Sequence, residues 1–266
     1  GSGGGFYNSK STVTLTDSTV SGNSASSGGG FVNSWSTVTL SNSTVSGNDG
    51  WNDGGGMRNS SSSITLSNST VSGNTGGFSS GGLRNEGSSI ALSNSTVSGN
   101  SAATGGGLFN FSSIIMLSNS TVSGNSAVTG GGLYNRSIST VTLANTIVAN
   151  SLGGGDCNSE ESAIIANSFN IIEDGSCMTT ALAIDPGLGV LMNNGGPTKT
   201  HALLAGSGAI DKGDNAICAA PPVSGKDQRG VIRPKGSAFD IGAYEFEDAT
   251  FFVIPLPGRK AVIFGS

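Results

Sequence analysis

The residues able to do chemistry are few in this 266-residue chain, and they are unevenly placed. There is one histidine, His201, and there are three cysteines, Cys157, Cys177 and Cys218, among seventeen acidic and twelve basic residues. Catalysis from such a set would need paired carboxylates on one face, a carboxylate cage for Ca²⁺ beside a base, or a nucleophile touching a base. The groupings nearest to this are Asp211 with Asp214, Glu160 with Glu161, and Asp227 beside Arg229. Each also has a structural reading: a turn-forming Asp in the run Ala209 to Asp214, and an ion pair bracing a loop at Asp227 and Arg229. His201 sits among apolar residues, as a packed and hydrogen-bonded imidazole does, and no Ser or Cys is assigned to it as a nucleophile. Three isolated cysteines and one histidine offer no metal-ligand spacing. The glycine clusters lack the Gly-Lys-Ser/Thr of a phosphate loop, so no cofactor is called for.

The elements that must position these groups fall into two differently built regions. Residues 1–150 hold four acids and four bases but no Pro or Cys, and the net charge of −5 comes wholly from the remainder. The 44 glycines and abundant Ser suggest a flexible polymer, but a mean hydropathy of +0.01 means more aliphatic residues than disorder requires, and the question is whether they are periodic. No apolar run approaches the roughly 20 residues of a membrane-spanning helix, and twelve scattered basic residues argue against a nucleic-acid binder. No signal-peptide pattern is present, which does not establish a cytoplasmic location.

Within 1–150 the phrase Ser-Thr-Val-Ser-Gly-Asn returns every 25 or 26 residues. One Asn series runs Asn23, Asn48, Asn74, Asn100, Asn125, Asn150; another runs Asn8, Asn33, Asn59, Asn85, Asn110, Asn135; a third runs Asn42, Asn68, Asn94, Asn119, Asn145, headed by Asp17. Aliphatic residues alternate with polar ones, as half-buried strands require. The inward candidates are Val13 and Leu15 with their repeats to Val141 and Leu143, the large residue after each glycine cluster from Phe6 to Leu133, and Val20, Val45, Val71, Val97, Val122 and then Ile147.

Three short strands per unit separated by Gly or Asn corners predict a single-stranded, right-handed parallel β-helix, an all-β solenoid. Coils stacked about 4.8 Å apart align identical side chains into a continuous core, and six would rise roughly 29 Å. The Asn series then become ladders, since Asn tolerates left-handed corners and its amide bonds to the coils on either side. Gly supplies the remaining positive-φ corners.

Because Ser2 to Phe6 aligns with Ser27 to Phe31, the first residues are repeat sequence, and an open first coil exposing Phe6, Val13 and Leu15 is expected to need a cover. The Thr and Ser residues flanking the Val column, from Thr19 and Ser21 to Thr121 and Ser123, form an outward hydroxyl ladder that breaks at Thr146 and Val148. It reads as a solvated β face, or as a surface for another solenoid, a glycan or ice. Loop length varies between the Gly-Asn corner and the glycine cluster, and Trp51 and Phe78 on that edge are candidates for gripping sugar rings or a neighbouring subunit. Asn-Ser-Thr triplets at Asn42, Asn68, Asn94 and Asn119 match a glycosylation pattern that a buried ladder would make inaccessible.

The remainder divides into degenerate coils over 151–185, a C-terminal cap over 186–248 and an apolar tail over 249–266. The motifs Asn194-Gly195-Gly196-Pro197-Thr198, Ala209-Ile210-Asp211, Asp227-Gln228-Arg229-Gly230 and Asp240-Ile241-Gly242-Ala243-Tyr244-Glu245 together resemble the choice-of-anchor Q domain family of bacterial secreted and surface proteins. The repeats before them resemble its pectin-lyase-like β-helix. The resemblance implies export to the cell surface or beyond, and no particular activity. It implies a disulfide between Cys157 and Cys177, two buried thiols being the other reading, while Phe239 stands where the family often places a partner for Cys218.

The resembled fold hosts polysaccharide lyases and hydrolases, but no carboxylate recurs at the coil period, and the chain is expected to be non-enzymatic. In the tail, Phe251, Phe252, Val253, Ile254 and then Val262, Ile263, Phe264 form two apolar runs around a Pro-Gly turn. They are expected to pack in cis, to serve as a sorting tail, or to dock on the next subunit by strand addition. With the open first coil they suggest a head-to-tail homo-oligomer or filament of an extracellular structural protein. A monomeric glycan-binding adhesin is the alternative.

Overall fold

The computed structural model describes residues 3–166, 169–248, 251–254 and 262–265. Its centre is a parallel β-solenoid of about seven coils with three strands per coil. Three seven-stranded parallel sheets run its length. The first extends from Phe6–Ser9 to Cys157–Glu160, the second from Thr12–Thr16 to Ala163–Ile165, and the third from Thr19–Ser21 to Ile171–Ile172. Register is in step throughout: Phe6 pairs with Phe31, Val13 with Val38, and Val20 with Val45. Alternation therefore puts the same aliphatic residue inside on every coil, and the columns merge into one core from Val20 to Ile172. The variable loops are more ordered than their sequence suggests. Ser24–Ser27, Asp49–Asp53 and Thr75–Gly76 make a fourth short ladder, continued by the bridges Thr75 to Ser101 and Ser101 to Ser126.

The three Asn series divide their work. Asn42, Asn68, Asn94, Asn119 and Asn145 are corner residues with φ between 45° and 50°, a conformation Asn tolerates better than most residues. In the series from Asn8 to Asn135 each side-chain amide donates to the next Asn carbonyl, at 2.6–2.8 Å. From Asn23 to Asn125 the same side-chain bond repeats at 2.9–3.0 Å, with the main-chain N–H sharing the acceptor. Serine ladders add to these, the main-chain N–H of Ser36 reaching Ser62 Oγ and that of Ser43 reaching Ser69 Oγ.

Two expectations are corrected at the sixth coil. Ile147 pairs with Thr121 and Val148 with Val122, so Val148 enters the core and Ile147 points outward. The distance from the Asn145 corner to Asn150 is one residue shorter than from Asn119 to Asn125, and register follows the corner. Asn150 consequently leaves its ladder: it is exposed, has φ of 57°, and its N–H donates to Glu173.

The glycines serve two purposes, of which the sequence suggests only the corner. Gly28 has φ of 61°, but Gly107 permits close approach, since a Cβ there would lie 2.6 Å from the Gly132 carbonyl oxygen. At the far end of the solenoid the Cys157–Cys177 disulfide, with Cα atoms 5.7 Å apart, ties the last strand of the first sheet to the turn at Ser176–Met178.

Candidate functional site

Residues 186–248, which the sequence suggests as a cap, contact the solenoid from Ser69 to Ile171. They run back along the third sheet as a strap, built from a hairpin of Leu188–Met192 with Thr200–Leu203, a short helix Asn215–Ala219, and loops. The hydroxyl ladder is what they hold. Thr70 Oγ1 donates to the Lys199 carbonyl at 2.7 Å, Thr96 Oγ1 to Gln228 Oε1 at 2.7 Å, and Thr121 Oγ1 accepts from Ala243 N–H at 3.0 Å. Those threonines, with Ser98 and Ser123, are buried. The reading of this column as a solvated face therefore fails for coils three to five and holds for Thr19 and Ser21. Outward Ile147 and Ile171 meet Leu203, Ala209 and Ile241 in a second apolar cluster, which seals the strap to the last coils.

Of the carboxylates that the sequence offers for catalysis, Asp211, Asp214 and Asp227 lie in the strap, where backbone amides occupy them, whereas Glu160 ends the last strand of the first sheet, 4.0 Å from Arg136, and Glu161 turns the corner after it with φ of 51°. Asp227 accepts from the N–H groups of Arg229, Val231 and Glu245, and from Arg229 Nε at 2.8 Å. Arg229 in turn stacks 3.7 Å above the Tyr244 ring. Glu245 accepts from the N–H groups of Lys235 and Asp240 and pairs with buried Arg233 at 3.6 Å. Asp240 accepts from Asp211 and Phe246, Asp211 from Ala238, and Asp214 caps the short helix through Ala216 N–H. Asp211, Asp227, Asp240 and Glu245 are thus one knot, assembled from motifs that lie apart in the chain.

Burial, reinforced by the neighbouring Asp240 carboxylate, pushes the Glu245 carboxyl up to about 7. A cavity of about 350 Å³ beside the knot is lined by Asp211, Lys235, Asp240 and Glu247 but not by Glu245. A proton on Glu245 therefore does not face it. Among the described residues no three of His, Cys, Asp and Glu come together as metal ligands.

Sequence reasoning missed the partner of His201. Its Nε2 lies 2.8 Å from Ser98 Oγ, and its Nδ1 lies 2.7 Å from the Gly189 carbonyl. The carbonyl only accepts, so Nδ1 carries the proton and Nε2 accepts from Ser98. This is the contact of a nucleophile with a base, yet Ser98 is buried under the strap and His201 alone reaches the adjacent groove. Ser98 belongs to the recurrent Ser column, but only the strap distinguishes it from Ser72 or Ser46. Cys218 is a buried free thiol whose sulfur accepts from the Asn119 and Asn145 side-chain amides.

On the variable edge Trp51 and Phe78 are exposed, at 67% and 71%, on successive coils joined by the Phe78 N–H bond to the Asn52 carbonyl. Val128 and Leu152 extend this ridge, also exposed. Of the glycosylation-like triplets, Asn94 and Asn119 are buried, while Asn42 and Asn68 are half-buried.

In the first coil Phe6, Val13 and Leu15 are half-buried, with Phe6 stacked on Phe31 at 4.9 Å. The strands Phe251–Ile254 and Val262–Gly265 pair antiparallel, and the side chains of the tail residues named from the sequence lie outside the described residues. Comparison of the chain with family models, with curated proteins and with solved structures finds no match.

Proposed function

We propose that the protein is a non-enzymatic structural β-solenoid of an extracellular or cell-surface assembly, extended head to tail. In this reading the first coil of one copy stacks on the C-terminal end of the next. One observation carries it: every coil receives its neighbour in the same register, Phe6 on Phe31 and Val13 on Val38, so a coil of one copy can stack on a coil of another by the contacts that join coils within the chain. A surface built this way accepts another coil. The carboxylate knot supports the non-enzymatic part, because Asp211, Asp227, Asp240 and Glu245 each accept main-chain N–H groups that hold the strap. The exported setting rests on the resemblance described above, and a disulfide accords with it.

Sedimentation velocity and negative-stain imaging over a concentration series test the stacking. Concentration-dependent oligomers that Val13→Asp with Leu15→Asp abolishes are the expected result. A monomer at every concentration overturns the assembly. A coil supplied by the same polypeptide would satisfy the face equally well, and it would give that monomer.

A second reading, a glycan-binding adhesin, is favoured by Trp51 and Phe78, whose exposed faces sit one coil apart beside the polar groups of Asn52 and Asp53. Glycan-array binding lost in Trp51→Ala and Phe78→Ala is its signature. No binding by the unaltered protein removes it.

A further inference from the structure

The strap hairpin pairs Leu188–Met192 with Thr200–Leu203. Among the described residues neither strand of it pairs with a third; Thr200, His201 and Leu203 are buried, and the edge of Leu188–Met192 is the open one. An unpaired strand edge is a template for further pairing, and a two-stranded hairpin is marginal until more strands join it. This edge is also apolar. Val190 is 76% exposed and Met192 50%, and Leu152 at the adjoining coil is 75% exposed. Leu152, Leu188 and Val190 line a common groove of about 190 Å³.

The chain itself holds a segment of matching character that departs from the right place. A single nitrogen, Nη1 of Arg229, contacts the Asn194 carbonyl at 3.5 Å and the Glu247 carboxylate at 3.6 Å. Asn194 is two residues beyond the end of the open strand, so the Glu247 carboxylate and the chain just past that strand meet on one guanidinium. Four residues after Glu247 begins Phe251–Ile254, the first of two apolar strands already paired antiparallel with each other. A strand that enters from the Asn194 end and runs towards Leu188 is antiparallel to Leu188–Met192.

We propose that the tail, residues 249–266, docks in cis on the open edge of Leu188–Met192. The order Val262–Gly265, Phe251–Ile254, Leu188–Met192, Thr200–Leu203 then makes a four-stranded antiparallel sheet that covers Val190, Met192 and Leu152. The inference is independent of the stacking reading, because it concerns the side of one chain and not the face of its first coil.

Hydrogen exchange of the Leu188–Met192 amides tests it. The intact chain is compared with one ending at Asp248 and with full-length Phe252→Asp, Ile254→Asp. Exchange in this strand at least tenfold faster in both altered chains, with the amides of the solenoid strands unchanged, is the expected result. Equal exchange in all three overturns the proposal. Protection that rises with protein concentration overturns it too, since that marks docking on a second copy. A Val190→Cys, Val253→Cys pair gives an independent readout: oxidation should yield a monomeric cross-linked species on a non-reducing gel, and dimers or no cross-link count against docking in cis.

Discussion

Thr96 Oγ1 donates to Gln228 Oε1 at 2.7 Å, joining a repeat position of the fourth coil to a loop 132 residues later in the chain. Both residues are buried. The amide nitrogen of Gln228 donates to Thr70 Oγ1 at 2.9 Å and Thr198 Oγ1 at 2.8 Å. One side chain thus ties two coils to two parts of the strap.

Gln228→Ala should therefore be costly. It leaves the Thr96 hydroxyl without its acceptor in a site closed to water, a loss of about 1–3 kcal/mol for a buried unsatisfied group. Urea denaturation should show the midpoint falling, and the second substitution Thr96→Val should recover part of the loss. An unchanged midpoint in Gln228→Ala would show that the strap does not unfold together with the solenoid.

Asn85→Ala should destabilise the solenoid more than Asn8→Ala. The first leaves the Asn59 amide without an acceptor and the Asn110 carbonyl without a donor, both buried, at about 1–3 kcal/mol each. The second disturbs a single bond at the ladder's end. Thermal melts of the two variants check the order.

Stability should depend on pH from both sides. The folded Glu245 carboxyl is raised from 4.5 to about 7, so the folded chain holds a proton that the unfolded chain releases. That contribution is complete below about 4.5 and is lost as pH rises through about 7. Burial pushes His201 below its ordinary 6.5, so the unfolded chain binds the proton first and stability falls as pH drops below that value. Glu245→Gln should remove the fall in urea midpoint between about pH 4.5 and 7, and His201→Gln the opposing rise as pH approaches 6.5 from below. A fall that survives Glu245→Gln would assign it to another group.

Reduction of Cys157–Cys177, or the double change to Ser, should cost about 3 kcal/mol, the chain-entropy value for a loop of this size. The loss should centre on the last coils. Hydrogen exchange should accelerate at Cys157–Glu160 and Ile171–Ile172 before it does at Met57–Ser60, and uniform acceleration would indicate that the whole solenoid unfolds as one unit.

Much of the fold was legible because a solenoid repeats its instructions. The alternation of Val38 and Leu40, the corner at Asn42 and the glycines before Phe31 recur often enough that chance cannot keep them in step. Legibility ended where repetition did. The missing residue between Asn145 and Asn150 moved Ile147 out of the core, and a register anchored on Asn150 assigns it inward, because one residue reverses every side chain on a strand. The serine ladders were missed for another reason: Ser is so frequent here that a buried Ser62 cannot be distinguished from an exposed Ser63 by type.

The amino-acid sequence by itself determined the coil, its three strands, its aliphatic columns and its Asn corners, since these depend on contacts between identical positions 25 or 26 residues apart. Only the tertiary structure decided which face of the solenoid is free. The strap reaches Thr70, Thr96, Thr121 and Ser98 from residues more than 100 positions away, and no periodicity encodes that meeting. The same threonine is a solvated hydroxyl at Thr19 and a buried hydrogen-bond partner at Thr96. The difference lies not in the residue or its strand but in whether another part of the chain packs against it and excludes water.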